Sequence, residues 1–414
     1  MVDSTDTGYD IVIAGGGMIG ASLALAIAPL GLRVAVVEAV ARGEAGQPSF
    51  DDRSTALSRS TQRMFEAMGL WDDVIAAATP IRRIHVSDRG RFGFSHIDAA
   101  QQGVAALGYV VINRVLGDVL QSALTKAATV DVICPARVVD IDTGGDLAVA
   151  TVETADGEHQ ELSCQLLVAA DGANSALRPM MGICARKTDY DQHAVIGNLL
   201  PEKPLDNCAY ERFTDQGPLA LLPVADDRAA FVWTVSSHDA ERVLGLDDAA
   251  FLDELQEAFG YRLGRLSRAG KRAAYPLSLS KALRLTAERA VLVGNSAHGL
   301  HPVAAQGFNL GMRDVAALCD CIADARSDDP SADLGDPDLL ARYAQWRRDD
   351  QGKLVRLTDG IVRLFGSSSP SLKAARNIGM IGFDIVPGVR SLFAKHMMGL
   401  AGRLPRLSRG VPLK

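Results

Sequence analysis

The sequence predicts an α/β fold in which one domain, built from separated segments, encloses an inserted β-sheet domain. A buried strand, a helix and a second strand follow one another from Tyr9 to Ala39, which is one βαβ unit. Similar transitions from strand to loop recur near Asp171 and Gly294, with strand-rich stretches between them. We therefore expect a first domain from residues 1–80, 105–185 and 280–365, a second from 81–104 and 186–279, and a basic helical C-terminal segment from 366–414.

Length and charge restrict the function classes. A chain of 414 residues exceeds one ordinary core, which favours two structural units. The net charge of -7 argues against nucleic-acid binding, which needs a basic surface. Residues 353–414 nevertheless carry eleven Lys or Arg against two Asp. The six cysteines have no spacing typical of disulfides or zinc, so we expect free thiols in a reducing cytoplasm.

The apolar run from Ile11 to Val37 is predicted to be a buried strand, helix and strand. A signal peptide needs a basic start, whereas the charged side chains among the ten residues before this run are all acidic. Glycines interrupt the run and Arg33 lies within it, which argues against a membrane span. We expect strands at Tyr9–Ala14 and Leu32–Ala39, with a helix at Met18–Leu30 between them.

The glycine motif between the first strand and the first helix predicts dinucleotide binding. Gly15, Gly17 and Gly20 have the G-x-G-x-x-G spacing, which permits a tight turn, close approach of a pyrophosphate and close packing of helix on strand. The helix N-terminus then faces the phosphates. Glu38 ends the second strand, where a carboxylate can accept both ribose hydroxyls and disfavours a 2′-phosphate. A Rossmann-type unit that binds FAD or NAD is therefore predicted.

Two later segments add to this motif. At Asp171-Gly172 a strand breaks into a loop, which by itself is better explained by an ordinary turn than by a binding site. From Val291 to Asp314 a buried strand ends at Gly294, and a loop of small residues leads to a helix. Such a loop can place backbone N–H groups at the edge of a flavin ring. His298 and His301 lack a third ligand, so no metal site is predicted.

Taken together, these segments resemble the flavoprotein monooxygenases of the para-hydroxybenzoate hydroxylase type, and within them the ubiquinone-biosynthesis hydroxylases of the 2-octaprenyl-6-methoxyphenol hydroxylase group. The resemblance covers most of the chain. It also rests on DRSTALS from Asp52, MGLW from Met68 and HPVAAQGFNLGMRD from His301 to Asp314.

Two positions depart from the wider pattern. Ala305 replaces the usual Gly, which is a small change unless the backbone requires a positive φ. Asn295 replaces an Asp that accepts a hydrogen bond from the ribityl chain, and its amide oxygen can still accept that bond. Asn at this position also occurs in the ubiquinone group.

The resemblance implies FAD as the cofactor and NAD(P)H as the electron donor. Gly15, Gly17, Gly20 and Glu38 would hold the ADP half, while Asp171 and Arg178 would orient the nicotinamide cofactor and the loop. The complete set of expected cofactor-binding residues is Gly15, Gly17, Met18, Ile19, Gly20, Glu38, Arg53, Asn113, Val138, Asp171, Gly172, Arg178, Gly294, Asn295, Pro302, Val303, Gln306, Gly307 and Asn309.

The implied reaction is hydroxylation of a prenylated phenol by O2 through a flavin C4a-hydroperoxide, a chemistry that belongs to the cofactor. The sequence does not identify a catalytic base. Two alternatives stay open: a flavin oxidoreductase of another substrate class, such as an epoxidase or prenyl reductase, and a mainly structural flavoprotein subunit of a biosynthetic complex. The sequence leaves open both a homo-oligomer and a multienzyme ubiquinone-biosynthesis assembly.

Two apolar segments allow two interpretations each. The strand residues Leu219, Leu221, Leu222, Phe231 and Trp233 suit either a substrate wall or an ordinary sheet core. The basic C-terminal segment suits either an anionic membrane surface or packing on its own domain. We therefore expect a cytoplasmic protein, with a peripheral position on the inner face of the cell membrane as the second possibility.

Overall fold

Strands and helices alternate along the chain in this computed structural model, which describes residues 8–41, 53–89, 94–299, 306–366 and 388–414. The strands are β1 Tyr9–Ala14, β2 Val34–Val37, β3 Ser54–Ser58, β4 Thr79–Ile81, β5 Arg83–Asp88, β6 Phe94–Asp98, β7 Gly108–Ile112, β8 Val130–Ile133, β9 Ala136–Asp142, β10 Ala148–Thr154, β11 His159–Ala169, β12 Ala185–Pro201, β13 Cys208–Thr214, β14 Gly217–Pro223, β15 Ala229–Ser236, β16 Leu266–Ser267, β17 Ala273–Ala282, β18 Thr286–Ala287, β19 Ala290–Leu292 and β20 His298–Gly299. The helices are α1 Met18–Ile27, α2 Arg59–Ala67, α3 Trp71–Ile75, α4 Asn113–Leu124, α5 Leu177–Met180, α6 Ser237–Gly245, α7 Asp248–Phe259, α8 Gln306–Asp328, α9 Pro337–Gly366 and α10 Val389–Met397.

A mainly parallel sheet, in the order β18-β19-β11-β1-β2-β8, forms the first layer. β1 pairs in parallel with β2 on one side and with β11 on the other, and β11 pairs in parallel with β19, so three distant segments of the chain meet in one sheet. Ile11–Ala14 of β1 and all residues of β2 are almost completely buried, as expected for strands covered on both faces. The predicted α/β class is confirmed, and the loop after β1 lies at the carboxyl edge where such sheets bind ligands.

The segment from Arg53 to Trp71 differs from the single helix that its apolar spacing predicts. Its first part, Ser54–Ser58, is strand β3 and pairs antiparallel with β7. The helix α2 begins only at Arg59, where the Ser58 side chain accepts a hydrogen bond from the Thr61 N–H. Pairing with a strand more than fifty residues away therefore outweighs the local helical spacing.

A second, mainly antiparallel sheet has the order β20-β17-β12-β15-β14-β13-β5-β6, with β16 attached to β12. Apart from β20, its strands come from residues 83–98 and 185–282. We propose, on this basis, that the inserted substrate domain is centred on this sheet.

The two faces of this sheet have different coverings. On one face Leu219, Leu221, Phe231 and Trp233 pack with Phe251 of α7. On the other face Ala209 and Ala230, with the partly buried Leu222, pack against Ile81 and Val110 beside the first domain. Because strand residues alternate between faces, only Leu222 of the five suggested wall residues is on the side of the first domain. The other four belong to the sheet core.

The C-terminal segment packs on the rest of its own chain over residues 388–414. Ala394 and Met398 are buried with Ile97 of β6. The Ser60 N–H donates to the Met398 carbonyl at 2.9 Å. In the part that the structure describes, no helix is long and apolar enough to cross a membrane.

Candidate functional site

The loop between β1 and α1 is held in shape by two glycines. Gly15 has φ +104°, and a Cβ there would lie 2.5 Å from the Ala170 carbonyl oxygen. A Cβ on Gly20 would lie 1.8 Å from the Gly15 carbonyl oxygen. Since α1 starts at Met18 and its N-cap residue Gly17 has no side chain, the positive end of the helix dipole at this turn can face an anion. The turn and helix start therefore suit a pyrophosphate.

Glu38 follows β2 beside this loop. Its Oε2 accepts from the Gly16 N–H at 2.7 Å, and Oε1 accepts from the Val40 N–H at 2.9 Å. Each carboxylate oxygen has a further lone pair, so ribose hydroxyls can be accepted as well. The Glu38 carbonyl accepts from the Ala136 N–H at 2.8 Å, which brings β9 with the buried Val138 to the same edge.

Asp171 and Arg178 lie where β11 ends next to the glycine loop. Asp171 Oδ2 accepts from the Leu177 N–H at 3.1 Å. Within the described residues Asp171 Oδ1 is buried and has no hydrogen-bond partner, as expected of an atom that awaits a ligand. Gly172 has φ +86° and permits the turn. Arg178 is buried and donates to the Ser296 carbonyl at 2.9 Å, so it fixes the loop after β19.

The turn Gly294–Ser296 carries Asn295 between buried neighbours. Asn295 itself is exposed, so its amide can reach a ligand at this edge. Beneath the turn, Ile19 lies so close to Gly294 and Gly311 that a Cβ on Gly311 would be 2.7 Å from the Ile19 Cδ1 atom. This contact joins the glycine motif at α1 to the turn and to α8.

Asn309, in the first turns of α8, is buried and fixed to β3 and α2. Its Oδ1 accepts from the Ser58 N–H and the Thr61 Oγ1, both at 2.8 Å. Its Nδ2 donates to the Ala56 carbonyl at 2.8 Å. The side chain therefore positions the α8 N-terminus. That it also lies near the ribityl chain stays a prediction.

Arg53 and Asn113 lie on the same side as β3. Asn113 Oδ1 accepts from the Thr55 Oγ1 at 2.6 Å, and the Asn113 N–H donates to the Arg53 carbonyl at 2.8 Å. The Arg53 guanidinium stacks 4.8 Å from the centre of the Tyr275 ring, on β17 of the second sheet. Arg53, which directly precedes β3, thus connects a small sheet of order β3-β7-β4 with the second sheet.

Five other expected residues can be placed less fully. Met18 is the first residue of α1 and Gly307 the second of α8, and both are partly exposed. Pro302 and Val303 lie outside the described residues, as does the side chain of Gln306. For the described part of the chain, no cluster of three or more His, Cys, Asp or Glu side chains could hold a metal ion.

A buried ionic network behind the turn was not predicted. Asp314 Oδ2 accepts from the Gly294 N–H at 3.0 Å and lies 2.5 Å from His298 Nε2, while Oδ1 accepts from Arg347 Nε at 2.6 Å. Burial alone would raise the pKa of Asp314, but His298 and Arg347 outweigh it and hold that pKa well below its usual range. Arg347 also pairs with Asp350. The network thus ties the turn to α8 and α9.

These features fit the ADP and ribityl parts of FAD. At one sheet edge they bring together the N-terminus of α1, the Glu38 carboxylate that can accept ribose hydroxyls, the Asp171 Oδ1 atom without a hydrogen-bond partner among the described residues, and the exposed Asn295 amide. A family model described as FAD binding domain matches residues 8–358. The chain belongs to the FAD binding domain family. The cofactor inferred from the glycine motif and the later loop is therefore confirmed as FAD.

Relatives place the chain more narrowly in this family. Ubiquinone hydroxylase UbiL of Rhodospirillum rubrum is 36% identical over 99% of this chain and 95% of the relative. The 3-demethoxyubiquinol 3-hydroxylase of Escherichia coli is 31% identical over 96% of this chain and 100% of the relative. The predicted membership in the group of ubiquinone-biosynthesis hydroxylases is therefore confirmed.

A solved structure supports the fold. The p-nitrophenol 4-monooxygenase PnpA of Pseudomonas putida superposes with a TM-score of 0.77 at 19% identity, covering 95% of this chain and 98% of that one. At this identity the likeness concerns the fold alone.

Proposed function

We propose that this protein is an FAD-dependent monooxygenase that hydroxylates the ring of a prenylated phenol in ubiquinone biosynthesis. The observation that carries the proposal is the full-length similarity to two ubiquinone hydroxylases, together with a glycine turn, Glu38, Asp171 and Asn295 at one sheet edge. When bound, reduced FAD and O2 supply the electrophilic oxygen.

The chain's own residues would bind and shield the reactants. Gly15 and the α1 N-terminus would hold the pyrophosphate, and Glu38 the ribose. The second sheet would cover the ring and keep water away from the reacting atoms. A cavity of about 60 Å³ near Asn309, lined in part by Ile84, Leu107 and Met397, is apolar but too small by itself to hold a prenylated ring.

The test is hydroxylation by the FAD-loaded protein with isotopically heavy O2, a short-chain prenylated phenol, and either NADH or NADPH. We expect one heavy oxygen atom in the ring product, and donor consumption that rises when the phenol is added. The matched control is the methyl ether of the same phenol, which lacks the activating hydroxyl and should not be hydroxylated.

Each alternative predicts a different result. An epoxide or a reduced prenyl chain as the product would favour another class of flavin oxidoreductase. Failure of every donor to reduce the bound flavin would favour a structural subunit. Either result contradicts the proposed hydroxylase.

We further propose that the C-terminal segment contacts an anionic membrane surface, where a prenylated substrate dissolves. On α10, Leu392 is 60% exposed and lies beside the exposed Lys395, although the opposite face of the helix is buried. Such a mixture of exposed apolar and basic groups favours anionic lipid surfaces. Assembly with partner enzymes or with a second copy at such a surface is part of this proposal.

Substitution Leu392→Asp tests the membrane proposal. We expect a several-fold loss of cosedimentation with phosphatidylglycerol vesicles, since the change removes apolar area and adds a like charge. The control is Leu283→Asp, because Leu283 is another leucine that is 70% exposed and lies far along the chain between β17 and β18. Equal vesicle binding by both variants and the unchanged protein would contradict the proposal.

A further inference from the structure

Glu211 lies in the middle of β13, on the sheet face that looks toward the flavin-binding side. Its neighbour Tyr210 points the opposite way and packs with Phe259 of α7. Ala209, two residues earlier on the same face as Glu211, packs against Ile81 and Val110. Because side chains alternate along a strand, Glu211 faces the space between the second sheet and the flavin-binding side.

The surroundings of Glu211 on that face are small and apolar. Strand register places Val86 and Ala220 directly beside it. The same transverse row continues through Val232 and Ile196. These side chains are only partly buried, as is Glu211 itself, so the row lines a cleft and is not closed core. A ring could lie against such a surface with the carboxyl group at one end.

Glu211 makes no hydrogen bond or ion pair with any residue that the structure describes. Burial raises the pKa of its carboxyl group to about 7, with no neighbouring charge contributing. On the neighbouring strand β5, the titratable residue on this face is Asp88, which lies two positions beyond Val86. The strand β14 carries no titratable residue. The helix α9 also passes near β13, and its charged side chains from Lys353 onward lie outside the described part.

A partly buried carboxyl group beside apolar side chains and without a protein partner is less stable as an anion than one in water, because it loses part of its hydration. Its presence is better explained by a ligand that supplies the missing partner. A phenol does so, since its hydroxyl donates a hydrogen bond. A base with a raised pKa is also closer in proton affinity to a phenol, with a pKa of about 10, than an ordinary Glu at about 4.3.

We propose that Glu211 accepts the hydroxyl proton of the bound phenol. The phenolic O–H bond breaks, a carboxyl O–H bond forms on Glu211, and the negative charge moves to the phenolate oxygen, which activates the ring toward an electrophile. The proposal rests on the proposed function, because it takes a phenol as the ligand. It supplies the base that the sequence does not identify.

The first test is independent of hydroxylation. A prenylated 4-nitrophenol is bound to the FAD-loaded protein, and its phenolate absorbance is followed against pH. Two interacting acids titrate in two steps, so with Glu211 present we expect two steps at least one pH unit apart. Glu211→Gln should leave one step. Glu257→Gln, a change of an exposed Glu on α7, should keep both.

The second test measures turnover. In the unchanged protein we expect hydroxylation to fall as pH drops below about 7, where Glu211 is protonated and can no longer accept a proton. Glu211→Gln should lower kcat by about 100-fold, the usual lower range for a lost general base, and should abolish this pH dependence, with FAD binding unchanged.

The outcomes are distinguishable. One titration step in both the unchanged protein and Glu211→Gln, or an unaltered pH profile in the variant, overturns the assignment of Glu211. Two steps that are lost in Glu211→Gln support it even if the unchanged protein hydroxylates no phenol. A lack of phenol hydroxylation by the unchanged protein would overturn the proposed function but not the assignment of Glu211.

Discussion

Replacement of Asp314 by Asn is expected to lower the free energy of unfolding by about 3–5 kcal/mol, the usual result of breaking a buried ion pair. Asp314 is completely buried and receives hydrogen bonds from Arg347, Gln351 and the Gly294 N–H. An amide removes one of the two carboxylates that compensate the buried Arg347 guanidinium, since only Asp350 is left, and turns an N–H group toward other donors. Urea unfolding followed by circular dichroism measures the change.

The control for Asp314→Asn is Glu254→Gln. Glu254 pairs with Arg242 at the surface, with both side chains substantially exposed, so its loss should cost at most about 1 kcal/mol. An equal effect of the two substitutions would contradict a structural role of the buried network.

The same substitution predicts a change in acid stability. The folded-state pKa of Asp314 lies below the unfolded value of about 3.9, so its stabilisation is complete above that value and is lost as pH falls toward the folded pKa. The unchanged protein should therefore lose stability below about pH 4. Asp314→Asn should lose less over the same range, and an identical loss in both proteins would contradict the assignment.

Gly20→Ala is expected to weaken FAD binding by more than 100-fold. A Cβ at this position would lie 1.8 Å from the Gly15 carbonyl oxygen, less than any non-bonded contact permits. Either α1 moves away from the sheet or the turn at Gly15 opens, and both displace the helix N-terminus that we propose to face the pyrophosphate. Titration of the apoprotein with FAD, followed by flavin fluorescence, measures the affinity.

The matched control is Gly245→Ala at the end of α6. A Cβ there meets no atom within 4 Å and its φ is not positive, so FAD affinity should be unchanged. Retention of tight binding in Gly20→Ala would show that the turn adapts, and would contradict the tight packing described for α1.

The first βαβ unit could be predicted because its information is local. Its strands are continuous apolar runs, and the glycines with Glu38 have fixed spacing. β3 could not be predicted in the same way, because Ser54–Ser58 has weak local preference and becomes a strand only by pairing with β7. Similarly, four of the five suggested wall residues belong to the sheet core, since the sequence does not show which sheet face meets which domain.

The sequence points to those residues of the candidate site that follow strand ends and misses the residues that support them. Glu38, Asp171 and Asn295 follow strand ends in recognisable motifs. Arg347 instead lies in a strongly charged stretch of α9, which local hydropathy marks as exposed, although it is 1% exposed in the fold. In the sequence, Glu211 likewise looks like an ordinary polar residue on the exposed face of a strand, and its partial burial follows only from packing in the folded protein. Burial of this kind arises from tertiary packing and has no local pattern.

The position of β1 in the middle of its sheet has a consequence for biosynthesis. β1 pairs with β2 and β11, β11 in turn pairs with β19, which ends at Leu292, and Ser60 is hydrogen-bonded to Met398 near the end. The amino-terminal half emerging from the ribosome therefore cannot complete its own sheet, because the apolar strand β11 lacks its partner β19 until that strand is translated. Such chains expose aggregation-prone surface during synthesis. We expect production of this protein to depend on chaperone supply more than that of a protein whose domains are contiguous.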